Sequence, residues 1–169
     1  MVDTLRSHDI NVLTFPSRDD VVTPDAVFPN NWFSHHAGNI LVLYPMRNLN
    51  RTDERQPENL TTLLESDNIA KPVIFDLTFH EANRELIKVI GEDGKEKEMS
   101  VCTEALEGTG SLVLDRAHKV AYAMESVRTT KSVFDEWCER MGYEGVFFHA
   151  YDEDNFNIYH TNVVLSVGD

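Results

Sequence analysis

The apolar positions of this chain fall into short runs of two periods. Segments 11–15 (NVLTF), 40–46 (ILVLYPM), 71–77 (KPVIFDL), 110–116 (GSLVLDR), 120–125 (VAYAME) and 145–152 (GVFFHAYD) are β-branched and aromatic and predict strands, as does 27–36 (VFPNNWFSHH). Two stretches carry helical spacing instead. Leu60, Leu63 and Leu64 follow Glu58, and Val133, Phe134, Trp137 and Met141 precede Gly142, a glycine placed to end a helix. Residues 2–8 predict the end of a helix, and Pro16 and Pro24 exclude one from the polar stretch between them. Segment 84–103 predicts an additional hairpin, turning at Glu92-Asp93-Gly94.

The order of elements repeats. Strand, turn, strand, loop, helix, strand runs through 28–77 and again through 106–152, and both copies carry an Arg-Thr pair before the helix, Arg51-Thr52 and Arg128-Thr129. Residues 1–20 read as the close of one such unit and 158–169 as the first strand of another, with VVLSVGD patterned like SLVLDRA. One unit cannot cover its own apolar face, so neighbouring units must do so. The expectation is an α/β protein with two whole units and partial ones at either end, residues 1–169 forming an incomplete domain. An unpaired strand at the edge would invite self-association.

Charge narrows the partners. Fifteen Lys and Arg stand against 29 Asp and Glu, a net charge of −14, and such a field repels nucleic acid and anionic membranes. Small cationic or zwitterionic ligands remain compatible. The N-terminus lacks the apolar stretch of a signal peptide, and two cysteines without a CxxC give no disulfide framework, so a cytoplasmic location is expected.

Three short stretches carry candidate chemistry: FPNNW (28–32), LEGTGS (106–111) and YHTN (159–162). Each sits where a unit begins. In a ring of units these borders meet near the axis, which would gather Asn31, Glu107 and His160. A histidine shuttles protons near neutrality, and a carboxylate can orient its ring. By residue type alone, the bland readings stand beside this one: a satisfied structural histidine, a tight EGTG turn, and an NN turn before an aromatic. No metal is expected. His35 and His36 point to opposite faces of a strand, and His80-Glu81 lacks the second histidine of HExxH.

PDAVFPNNW, LVLYPM, LEGTGSLVLDR, S-RT and YHTNVVLSVG in this order resemble the amidinotransferase superfamily, which includes the arginine deiminases and dimethylarginine dimethylaminohydrolases, and within it the hydrolases of citrulline utilisation. The resemblance implies the pentein fold, a pseudosymmetric ring of ββαβ units with the site on its axis. It implies covalent catalysis by a cysteine on a guanidino or ureido carbon, with no cofactor. His160 matches the acid–base histidine and Glu107 its carboxylate partner. Asn31, Asn162, Asp25 and Arg128 match substrate-binding positions, although Arg128 reads equally well as a solvated or capping residue. Arginine-using members have aspartates where this chain has Asn31 and Asn162. A carboxamide offers donor and acceptor to a neutral urea, where a carboxylate suits a cation. An amino-acid substrate of the citrulline or arginine type is expected, with the double exchange tilting it toward citrulline.

The family cysteine belongs to a later unit, so the chain is expected to be a fragment, inactive alone. Cys138 reads as a packed helix residue and Cys102 as a remote substitute, with Glu104 and Glu107 opposing its reactivity. The alternatives are a shortened pentein that binds a ligand or partner without chemistry, and a truncated gene product.

Overall fold

The structure, a computed structural model, describes residues 1–14 and 16–168. It contains two three-stranded sheets of the same design and a separate hairpin. In the first sheet β1 (Phe33–His36) pairs antiparallel with β2 (Ile40–Leu43), which pairs parallel with β3 (Val73–Asp76) across helix α2 (Pro57–Ser66). The hairpin joins β4 (Arg84–Ile90) to β5 (Glu96–Cys102), with Gly94 at φ +74° in its turn. The second sheet repeats the first: β6 (Leu112–Asp115) antiparallel to β7 (Val120–Met124), and β7 parallel to β8 (Glu144–Phe148) across α4 (Lys131–Met141). A short helix α1 (Val2–Arg6) opens the chain, and a single turn α3 (Gly108–Ser111) leads into β6. The architecture is mixed α/β, and no closed ring is formed among the described residues.

Strand β2 is the hinge between the two cores. Its alternation sends Leu41 and Leu43 toward Leu60 and Leu64 of α2, with Trp32 and Met46. Val42 and the following Tyr44 face the opposite way, into a second cluster with Leu112, Phe134 and Trp137. A strand buried on both faces reads as a continuous apolar run, as ILVLY does. Trp137 is fully buried, and its indole N–H donates to the Tyr44 hydroxyl at 3.0 Å, so the large ring joins both units without an orphaned donor. Helix α4 ends at Gly142 in the left-handed region, φ 68°.

Several expectations fail at the borders. Residues 11–14 form no strand, and Phe15 lies outside the described residues. The segment is tied down by side chains instead, through Arg6 Nη2 to the Val12 carbonyl at 2.8 Å and Asn11 Nδ2 to Asp67 at 2.9 Å. Residues 164–168 likewise form no strand, and Asp169 lies outside the described residues. A 3-10 turn at Thr161–Val163 folds the segment back, with Leu165 N–H donating to the Thr161 carbonyl at 3.0 Å. Strand pairing needs a neighbouring ladder, and among the described residues none lies there. The segment 145–152 is a strand only to Phe148. In the two NN and GTG stretches, short turns precede the strands, at Pro29–Asn31 and Gly108–Ser111. Pro29 begins the first of these, where a missing N–H costs nothing. Among the described residues, no helix is long and apolar enough to cross a membrane.

Candidate active site

The two short turns before β1 and β6 pack on each other, and glycine makes this possible. A Cβ on Gly108, which has φ +44°, would lie 2.1 Å from the Asn30 carbonyl oxygen. A Cβ on Gly110 would lie 2.5 Å from Asn31 Nδ2 and 3.0 Å from both Nδ1 and Cε1 of His160. The GTG sequence thus lets backbone, Asn31 and His160 meet at one point. Ser111 locks the arrangement. Its hydroxyl donates to the Arg128 carbonyl at 2.9 Å, and accepts from the Glu107 N–H at 3.0 Å and from Thr129 Oγ1 at 2.7 Å. Thr161 Oγ1 accepts the Met124 N–H at 2.8 Å, which pins the His160 segment to the end of β7.

Glu107 is fully buried beneath a cavity of about 370 Å³. Its carboxylate lies 2.8 Å from His160 Nε2, and it accepts from Arg128 Nη1 at 2.9 and 3.0 Å and from the Arg47 N–H at 3.0 Å. Burial pushes the Glu107 pKa up, but the His160 hydrogen bond and the Arg128 charge outweigh it, and the net shift is downward. An ionised Glu107 can only accept a hydrogen bond, so the imidazole carries its hydrogen on Nε2. Nδ1 has no protein partner among the described residues, where no buried side-chain nitrogen or oxygen goes unpaired, so this nitrogen faces the cavity. One ring nitrogen is held and the other is free to take or give a proton.

Asn31, Asn162, Asp25, Arg128 and His160 all line the same cavity. Arg51, which the sequence reading did not place in the site, is the group that organises them. Its guanidinium is 3% exposed and pairs with Glu54 at 2.9 Å and with Asp25 at 3.2 Å, and lies 3.8 Å from Glu107. Nη1 and Nη2 both donate to Asn31 Oδ1 at 3.3 Å. A guanidinium only donates, so Oδ1 must face Arg51, and Asn31 Nδ2 turns toward Gly110 and His160. The signal for Arg51 was present in the repeated Arg-Thr pair. Both arginines end at the cleft, and Thr129 supplies the Ser111 bond described above.

Neither cysteine lines this cavity. Cys102 is buried at the end of β5, with its thiol 3.6 Å from the His80 carbonyl, and burial raises its pKa. Burial in α4 pushes the Cys138 thiol up to about 12. No cluster of three or more His, Cys, Asp or Glu suited to a metal occurs among the described residues.

A family model described as N,N dimethylarginine dimethylhydrolase, eukaryotic, matches residues 1–169. The chain belongs to this family. Solved structures share its pentein fold. A cysteine-to-serine variant of the N-terminal domain of ArgZ, an arginine dihydrolase of cyanobacteria, bound to substrate, aligns with TM-score 0.56 and 17% identity, over 92% of this chain and 46% of that one. The same domain bound to product aligns at TM-score 0.57 and 19% identity over 94% and 45%. Unliganded AgrE aligns at 0.55 and 19% over 92% and 18%. The chain therefore spans less than half the length of the structures it matches. Among curated proteins nothing matches. The family assignment and the shared fold place the chain in the pentein amidinotransferase superfamily, in agreement with the resemblance seen in the sequence.

Proposed function

We propose that residues 1–169 supply the acid–base half of a cysteine-dependent C–N hydrolase acting on a guanidino or ureido amino acid. The observation that carries this is His160, held through Nε2 by buried Glu107 with Nδ1 open to a cavity lined by Asn31 and Asn162. The nucleophilic thiolate is supplied by sequence outside these residues, since Cys102 and Cys138 both lie away from the cavity in settings that hold the thiol protonated. The thiolate bonds to the central carbon, and the C–N bond breaks as the leaving nitrogen takes a proton from His160. His160 then removes a proton from water, which attacks the same carbon and releases the thiol. Glu107 stabilises the imidazolium that donates in the first step and forms again when His160 takes the proton from water.

The preferred substrate is a citrulline-type urea. Arg51 forces Asn31 to present N–H to the cleft, and a donor suits a ureido oxygen where a guanidinium has only donors of its own. The proposed location is the cytoplasm. The test is kcat/KM for citrulline, arginine and dimethylarginine in the protein that carries this chain together with its nucleophile. Citrulline is expected to lead, and Asn31→Asp to move preference toward the cations. A higher value for arginine or dimethylarginine overturns the substrate assignment. His160→Gln is expected to lower kcat by about 10²–10⁴-fold, and unchanged turnover refutes the mechanism.

A further inference from the structure

A second cavity, of about 280 Å³, lies at the opposite end of the strands from the cleft. The turn of the first hairpin, the β6–β7 turn and the end of α4 enclose it. β1 leads from the Asn31 turn to His36, and β6 from Ser111 to Arg116. Four strand residues at about 3.3 Å each put roughly 13 Å between the two sites.

Its polar lining is cationic: Arg116, Lys119 and Arg140, with His36 at the base. Among the described residues no carboxylate lines it, in a chain where 29 acidic residues face 15 basic ones. Arg140 is already paired, to Glu136 at 3.2 Å, and its place in the last turn of α4 suits the helix dipole. The other two cations belong to the β6–β7 turn and have no such account. Among the described residues Arg116 hydrogen-bonds only to His36, with Nη1 donating to Nδ1 at 3.3 Å. Lys119 Nζ sits 4.5 Å above the Tyr143 ring. Neither forms an ion pair with a carboxylate among the described residues. His36 is an acceptor here and adds no negative charge. Two cations therefore converge on one cavity whose lining, among the described residues, holds no carboxylate to offset their repulsion.

We propose that this cavity binds the phosphate group of a small phosphate monoester. Arg116 offers a planar pair of donors and Lys119 a point charge, the two modes by which proteins hold phosphate oxygens. Ile40, Met141 and Tyr143 form the remaining wall, an apolar surface for the organic substituent.

Calorimetric titration of the protein with glycerol phosphate and with inorganic phosphate, at constant ionic strength, tests the proposal. Saturable one-site binding in the millimolar range or tighter is expected for both, with the monoester the tighter. Equal affinities would reassign the ligand to free phosphate and retain the site. Arg116→Gln and Lys119→Gln, each at an exposed turn position, are expected to weaken binding about tenfold or more, while Lys97→Gln on the hairpin leaves it unchanged. Circular dichroism confirms that each variant is folded before titration. No saturable binding, or binding that survives both turn substitutions, overturns the proposal.

Discussion

Replacing Glu107 by Gln keeps the shape of the side chain and exchanges one carboxylate oxygen for an NH₂ group. Both oxygens accept from Arg128 Nη1, one of them also from the Arg47 N–H, and the other faces His160 Nε2. Whichever way the amide turns, its NH₂ meets a donor, so at least one bond becomes a donor–donor contact. Arg128 loses its counter-charge, and Arg51, 3.8 Å from Glu107, loses part of its own. Breaking one side of a buried ion pair costs about 3–5 kcal/mol. Arg128 is part exposed and can rehydrate, which places the expected loss at about 3 kcal/mol. The assay is urea unfolding of both proteins at a series of pH values, with the m-value as a check that the same surface unfolds. The folded pKa of Glu107 lies below its ordinary 4.5, so its charge stabilises the fold fully above that pH. This contribution is lost as pH falls through the lower, folded value. The gap between native and variant should be constant above about pH 4.5 and close on further acidification. A variant as stable as the native chain at neutral pH, or a gap that ignores acid, would refute the electrostatic account of the site.

Gly110→Ala tests the steric account in the same way. The added Cβ meets Asn31 and His160, each held by a buried partner and unable to retreat, so a loss of about 1–3 kcal/mol in urea unfolding is expected; a neutral outcome would mean the cleft is looser than described. His36 gives a separate pH signature. Burial, then the charges of Arg116, His35 and Lys119, hold its imidazole down to about 4. The unfolded chain binds this proton first, so stability should fall by on the order of 2 kcal/mol as pH drops from about 6.5 toward 4, and His36→Gln should flatten that slope in the same urea titration.

The repeat was legible because strand alternation and helical spacing are local properties. ILVLY announced a strand, and Val133, Phe134 and Trp137 announced the apolar face of α4. The meeting of Asn31, Glu107 and His160 was legible only through the symmetry of the units, since nothing local ties residues so far apart. Arg51 escaped because arginine is ordinarily a surface residue, and only its long-range partners Asn31 and Asp25 mark it as internal. The failures at 11–14 and 164–168 have one cause. β-branched composition states a willingness to pair, and pairing itself depends on a neighbouring strand that composition does not supply.

Two contacts central to the cleft and its seam are distant in sequence: 53 residues separate Glu107 from His160, and 93 separate Tyr44 from Trp137 at the seam beneath. Closing such loops is costly until both sheets are in place. A chain with only the second unit formed has the Glu107–His160 pair but lacks Asn31 and Arg51, and its cleft is incomplete. The complete cleft waits for both units. An occupied cleft is thus a report that both units are folded.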